Sequence, residues 1–321
     1  MVARQRARAF DDPSIPHPAR RYNYWLGGRE NYKADRASGD AVSAAYPAIR
    51  LNVYENRAFL RRVVRFMVES GIRQFIDIGP GIPAPDCTHE VAQAIAPETR
   101  VLYVDNDPVV IAYSRALLRS TAIPVTVTAE GEIELVHGLP AESRAEDGAG
   151  DGVADSAEDG VGQPAGRGLI GHVLSDLCDP ERILESPETR TVIDFTRPVG
   201  LLMVAVAHFC VDDETVYPAV ARLVDSLPPG SLVAFTHAVA DYVDPRVVDR
   251  VSHAFADHNS PFRWRYTFEC ARFADGLEYI EPGLVPAAEW HADDEPGARP
   301  SAEENGICAW VARKPEPAAE A

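Results

Sequence analysis

From about residue 50 onward the chain alternates amphipathic stretches with short apolar runs. "LNVYENRAFLRRVVRFMVESG" places Val53, Leu60, Val63, Val64 and Met67 on one stripe at helical spacing and ends at Gly71, which predicts a helix with a glycine stop. "QFIDI" (74–78) and "RVLYVD" (100–105) are strand-like runs, and "THEVAQAIA" between them is helix-like, with Thr88 as the expected N-cap. Strand, helix, strand in that order predicts a parallel pair joined by a right-handed crossover. A helix follows over 109–118. "LIGHVLSD" (169–176), "VGLLMVAVA" (199–207) and "SLVAFTHA" (231–238) predict later strands, with "TVYPAVARLVDSL" a helix between the last two. The expectation is an α/β fold with a doubly wound, mostly parallel sheet. "RFADGLEYIEPGLVPAAEW" reads as strand, turn and strand, a C-terminal antiparallel hairpin closing one sheet edge.

Three segments break this rhythm. Residues 1–18 are basic and then Pro-rich, which predicts a flexible arm with structure starting near Ala19. Residues 140–168 are Gly, Ala, Asp and Glu with almost no large apolar side chain, the composition of a disordered acidic insertion. "VTVTAEGEIELVHG" (125–138) ahead of it reads as two strands around Glu130-Gly131. The single domain is thus expected over 19–313, with a disordered tail over 314–321.

Composition narrows the function. Apolar residues make up 46%, enough for a buried core, and the net charge of −18 opposes binding to nucleic acid or an anionic membrane. Five cysteines without a CxxC pair suggest neither a disulfide framework nor a zinc site, and a reducing cytoplasm fits them. No apolar run is long enough for a membrane span, and the Arg-rich start lacks the apolar core of a secretory signal.

The candidate chemistry sits in "FIDIGPGIPAPDCTHEVAQAI" (75–95). Gly79-Pro-Gly81-Ile-Pro-Ala84 satisfies the relaxed dinucleotide pattern G-x-G-x-x-G/A. A pyrophosphate, however, needs amide donors at a helix N-terminus inside the motif, and Pro80, Pro83 and Pro85 remove three of them. S-adenosylmethionine asks instead for a close backbone turn at its amino-acid end and an acid at the second strand tip for the ribose. Gly79 and Gly81 supply the turn, Asp77 can orient the loop or bind the ammonium, and Asp105 supplies the acid. Asp105 has helix capping as its alternative role.

For the transfer step, His208 and His237 fall after strands, where ligands of open α/β sheets bind. Each can act as a base on the acceptor or simply pack at a strand end. Tyr22, Tyr24 and Trp25 can wall the sulfonium or pack in the core. Cys87, ahead of a helix but without a base in view, reads as an inert thiol, and no residue spacing indicates a metal.

"PARRYNYWLGGRENYKADR", "NRAFLRRVVRF", "IRQFIDIGPGIPAPDCTHEVAQ", "RVLYVDNDPVV", "LLMVAVAHF" and "GLEYIEPGLVP" together resemble an actinobacterial family of S-adenosylmethionine-dependent methyltransferases first catalogued as a domain of unknown function. The resemblance covers nearly all of 16–313 except the insertion. It implies a Rossmann-like class I methyltransferase fold with an N-terminal helical cover. It further implies that Gly79 and Gly81 line the methionine end, Asp105 and Asn106 hold the ribose, and Asp176 with Leu177 frame the adenine. The cover would bring Tyr24, Gly27, Gly28 and Asn31 near the cofactor. Pro80, Cys87 and the insertion depart from the family pattern. The resulting expectation is methyl transfer to an unidentified, small-molecule acceptor; the alternatives are a cofactor-binding regulatory protein without turnover and an NAD-dependent oxidoreductase.

Overall fold

The computed structural model describes residues 12–117, 125–127, 133–135, 168–293 and 297–316. The expectations for residues 1–11, for nearly all of the acidic insertion and for the tail beyond 316 lie outside the described residues.

Three helices precede the sheet: α1 (Pro18–Trp25), α2 (Lys33–Ala45) and α3 (Ile49–Glu69). Then come β1 (Gln74–Ile78), α4 (Thr88–Ile95), β2 (Arg100–Asp105), α5 (Pro108–Leu117), β3 (Val125–Val127), β4 (Ile133–Leu135) and β5 (Ile170–Leu174). After α6 (Pro180–Glu185) and α7 (Pro187–Val192) the chain runs through β6 (Gly200–Val204), α8 (Asp213–Ser226), β7 (Leu232–Ala238), α9 (Pro245–Ala256) and α10 (Thr267–Ala271). It closes with β8 (Glu278–Tyr279), β9 (Val285–Pro286) and β10 (Ile307–Arg313).

The main sheet runs β5-β2-β1-β6-β7-β10-β8, with the first five strands parallel and β10 antiparallel to β7. β3 and β4 pair antiparallel, as the pattern over 125–138 predicts. The antiparallel end is built differently from the expected hairpin. β8 and β9 each pair with β10 and not with one another. β10 reads "ICAWVAR", a nearly continuous apolar run because both of its faces are covered, so period-2 alternation does not mark it.

Both faces of the sheet are buried, and successive residues go to opposite sides. Ile76, Leu102, Leu201, Val233 and Phe235 pack with α7 and α8 through Val192, Val216, Val220 and Leu223. Phe75, Val101, Tyr103, Leu202 and Ala234 pack with Leu60, Val63, Val64 and Met67 of α3, four of the five residues on the predicted stripe. The fifth, Val53, joins a third cluster in which Trp25, Val42 and Tyr46 meet Val251 and Phe255 of α9. The N-terminal helices are therefore clamped between α3 and α9, beside the carboxyl ends of the parallel strands. No helix among the described residues is long and apolar enough to cross a membrane.

Candidate active site

Strand order reverses at β1, whose neighbours β2 and β6 lead the chain to opposite sides, and a crevice opens beyond the strand tips at such a point. Here it is a cavity of about 510 Å³ lined by Asp77, Gly79, Gly81, Asp105, Asn106, Asp176 and Leu177, the residues expected at the sheet side of the cofactor. That size lies in the usual range for small-molecule sites.

The turn after β1 holds Gly79 at φ +72° and Gly81 at φ +69°, conformations that a side chain strains. A Cβ on Gly79 would stand 2.5 Å from Cγ2 of Val206, so the turn is pressed against the end of β6. Asp77 accepts the Thr88 hydroxyl at 2.6 Å and thereby ties the far end of the turn to α4. Thr88 is thus the first helical residue and not the cap; Cys87 holds the cap position. Burial pushes the Asp77 carboxyl up to about 6 and the Cys87 thiol up to about 12, which leaves that thiol protonated and inert.

Asp105 Oδ2 accepts the amide of Gly81 at 3.2 Å and Oδ1 that of Asp107 at 2.9 Å. Burial dominates its environment and pushes its carboxyl up to about 7. Helix capping, its alternative role, falls instead to Asp107, whose Oδ1 accepts Val109 N at 2.8 Å. Asn106 donates to Asp176 Oδ2 at 2.8 Å, and the other oxygen of Asp176 accepts Cys178 N at 2.9 Å. Two strand tips are joined in this way, with Leu177 buried beside them.

The opposite wall comes from the N-terminal segment. Ile15, Pro16, His17, Pro18, Ala19 and Tyr22 line the cavity, so ordered structure reaches it ahead of Ala19. Arg20, fully buried, pairs with Asp35 at 3.0 Å, donates to the carbonyl of Ile15 at 2.7 Å and lies 3.6 Å from Asp107. His17 Nδ1 lies 3.0 Å from Asp107 Oδ2, and burial with Arg20 and Arg21 pushes the ring down to about 3, so it is neutral. Arg21 reaches Ser260 Oγ at 2.9 Å. A relay crosses the floor: Asn56 donates to Tyr22 Oη at 3.0 Å, Thr236 donates to Asn56 Oδ1 at 2.7 Å, and Ala205 N donates to Thr236 Oγ1 at 2.8 Å. Ala205 stands at φ +55°, a strained value for a residue with a Cβ, and that last bond helps hold it there.

Other expected residues lie elsewhere. Tyr24 does not line the cavity; its hydroxyl donates to Asp40 at 2.7 Å. Gly28 is spent on a close approach, since a Cβ there would collide with the Asn23 side chain, and Gly27 is likewise off the wall. Asn31 donates to Asn23 Oδ1 and Gly28 O, both at 2.9 Å, and so fixes the turn after α1. Trp25 is core, donating to Gly39 O at 3.2 Å, which leaves Tyr22 as the one aromatic of the three at the cavity. Neither His208 nor His237 lines it. His237 donates from Nδ1 to Ala238 O at 2.7 Å and accepts Arg265 at Nε2 at 2.8 Å, so both nitrogens are engaged. His208, packed on His237 and Phe262, is driven down to about 3 by burial and the charges of Arg265 and Arg21. Both rings are buried beside the cavity rather than in its wall, and sequence position alone could not show which way they turn.

The residues that sequence reasoning missed are those on the cover side, above all His17, Asn56 and Ser260. No local motif marks them; they meet only because α1, α3 and the 259–261 loop converge.

The donor set suits S-adenosylmethionine and not a dinucleotide. Each Asp105 oxygen already takes one amide, which leaves acceptor capacity for the two ribose hydroxyls. Two buried carboxylates beside a proline-rich turn would repel a pyrophosphate, and α4 starts only at Thr88, too late to cradle one.

Comparison with known proteins agrees. A family model described as S-adenosyl methyltransferase matches residues 4–140 and 159–315. A DUF574 family protein from Streptomyces avermitilis is 36% identical, with a TM-score of 0.75 over 95% of this chain and 99% of that one. A provisionally named methyltransferase from Thermobifida fusca is 31% identical, with a TM-score of 0.74 over 96% and 97% of the two chains. No curated protein gives a significant match. The chain is a methyltransferase of Rossmann-like class I fold that uses S-adenosylmethionine. It belongs to the S-adenosyl methyltransferase family.

Proposed function

We propose that the protein transfers a methyl group to a small-molecule acceptor that enters between the N-terminal cover and the loops at 209–212 and 259–261. When bound, S-adenosylmethionine supplies an electrophilic methyl on a sulfonium. In this reading Gly79 and Gly81 lie against its methionine end, Asp105 with Asn106 takes the ribose hydroxyls, and Asp176 and Leu177 flank the adenine. Tyr22 of the cover, hydrogen-bonded to Asn56, bounds the opposite side.

The observation that carries the reading is Asp105: a buried carboxylate at a strand tip, on the cavity wall, with one amide on each oxygen. The acceptor region is bounded by Val206, Phe209, Val211, Asn259 and Pro261, a wall of mixed apolar and amide character suited to a compact organic molecule. No proton transfer is assigned to His208 or His237, and alignment of the acceptor lone pair with the methyl carries the step. The net charge of −18 disfavours a nucleic-acid acceptor, and five free cysteines suit a reducing cytoplasm.

Calorimetric titration with S-adenosylmethionine, S-adenosylhomocysteine and NAD tests the cofactor assignment; NAD binding in place of the first two would overturn it. Incubating the protein with methyl-labelled cofactor and a cell extract tests the acceptor class. Label is expected in the low-molecular-weight fraction, and label found only in protein or RNA would reject a small-molecule acceptor.

A further inference from the structure

Two cysteines from separate loops meet in the cavity wall. Cys178 follows β5 and Cys210 follows the short 3₁₀ turn Ala207–Phe209 after β6; both line the cavity and neither is in a disulfide. Their sulfurs and a carboxylate oxygen of Asp176 all lie within 4.8 Å of one another. Cys87, His89 and Glu90 form a second such group, but they are near neighbours at the start of one helix. There Glu90 accepts the Cys87 amide at 3.2 Å and His89 Nδ1 contacts the sulfur at 3.3 Å, so helix capping explains that group. No local motif brings Cys178 and Cys210 together.

We propose that Cys178, Cys210 and Asp176 form a binding site for a soft divalent cation of the zinc class, in the wall that takes the adenosine end of the cofactor, so that metal and cofactor exclude one another. The exclusion rests on the cofactor reading above; the metal site does not. Two thiolates and a carboxylate are a donor set such ions select. Zinc–sulfur bonds of about 2.3 Å place two ligand sulfurs about 3.8 Å apart, so the group must close by about 1 Å or less, within reach of side-chain rotation. The backbone around it is fixed. Asp176 accepts Cys178 N at 2.9 Å and Asn106 Nδ2 at 2.8 Å, and the carbonyl of Cys210 accepts Arg265 Nη2 at 2.9 Å. The guanidinium of Arg265 offsets part of the negative charge that two thiolates and a carboxylate carry.

The test uses the full-length reduced protein with Cd²⁺ as probe, read by the thiolate-to-metal charge-transfer band. One equivalent is expected to bind, C178S and C210S should each weaken binding at least tenfold, and C87S should leave it unchanged. Absence of the band, or a band that survives in the C178S/C210S double variant, would overturn the site. If the variants do not fold, peptide mapping of alkylated wild-type protein decides: Zn²⁺ should protect Cys178 and Cys210 together, and equal labelling with and without Zn²⁺ would reject the proposal. For the exclusion, the apparent Kd for S-adenosylhomocysteine should rise in proportion to free Zn²⁺; an unchanged Kd at saturating metal would overturn it. Should S-adenosylhomocysteine fail to bind the metal-free protein, the cofactor reading falls while the band still decides the metal site.

Discussion

The two walls of the cavity are made in different ways. The strand-tip wall is built from residues adjacent in sequence to β1, β2 and β5, and its polar groups are tied within their own loops or to the loop of a neighbouring strand: Asp105 to Asp107 and Gly81, Asp176 to Cys178 and Asn106. The cover wall is built from contacts that span much of the chain, such as Arg21 with Ser260 and Thr236 with Asn56. The first wall can change its ligand chemistry without moving the fold. The second cannot change without loosening what holds it to the sheet.

Substitutions should separate these two behaviours. Arg20→Ala removes one partner of a buried ion pair and leaves Asp35 uncompensated, a loss of about 3 to 5 kcal/mol. It should appear as a lower urea midpoint; an unchanged midpoint would mean that the cover is not anchored through Arg20. Asp105→Ala, on the other wall, should weaken S-adenosylhomocysteine binding by about 2 to 3 kcal/mol through lost charged hydrogen bonds. Calorimetry at constant melting temperature checks it, and a comparable fall in stability would erase the distinction between the walls.

Asn56→Ala should be intermediate, because it breaks the relay from Tyr22 to Ala205 and leaves the buried Thr236 hydroxyl without its acceptor. The expected cost is about 1 to 3 kcal/mol in chemical denaturation, with loss of cofactor affinity following from the freed cover. The smallest effect is pH dependence. Because the carboxyl of Asp105 titrates near 7 in the empty cavity and hydroxyl donors favour its ionised form, ligand binding expels a proton below that pH. Affinity for S-adenosylhomocysteine should therefore climb by up to about tenfold per unit between pH 6 and 7 and level off above. Asp105→Asn should flatten the curve, and an unaltered slope in that variant would assign the titration elsewhere.

How much of the molecule could be read from its sequence follows the same division. The helix over "LNVYENRAFLRRVVRFMVE", the five parallel strands and the glycine turn are set by local periodicity and by backbone demands at Gly79 and Gly81, and Asp105 is marked by its place at a strand tip. The cover is not local. Whether Tyr22 or Tyr24 meets the cavity depends on how α1 is rotated against α3 and α9, and Arg20 and Arg21, buried against Asp35 and Ser260, decide that rotation. His208 follows β6 as expected and His237 lies near the end of β7, yet Arg265, far along the chain, engages the His237 ring. β10 is obscured for a related reason: a strand covered on both faces has no alternation to show.

The bond between Arg21 and Ser260 joins residues 239 positions apart. On a ribosome the cover is made first, but the loop that clamps it is made late, and β10, which completes the sheet beside β7, later still. A nascent chain can pair its parallel strands and shape the glycine turn long before it can close the cavity. The cavity therefore closes only after the 259–261 loop has met the cover.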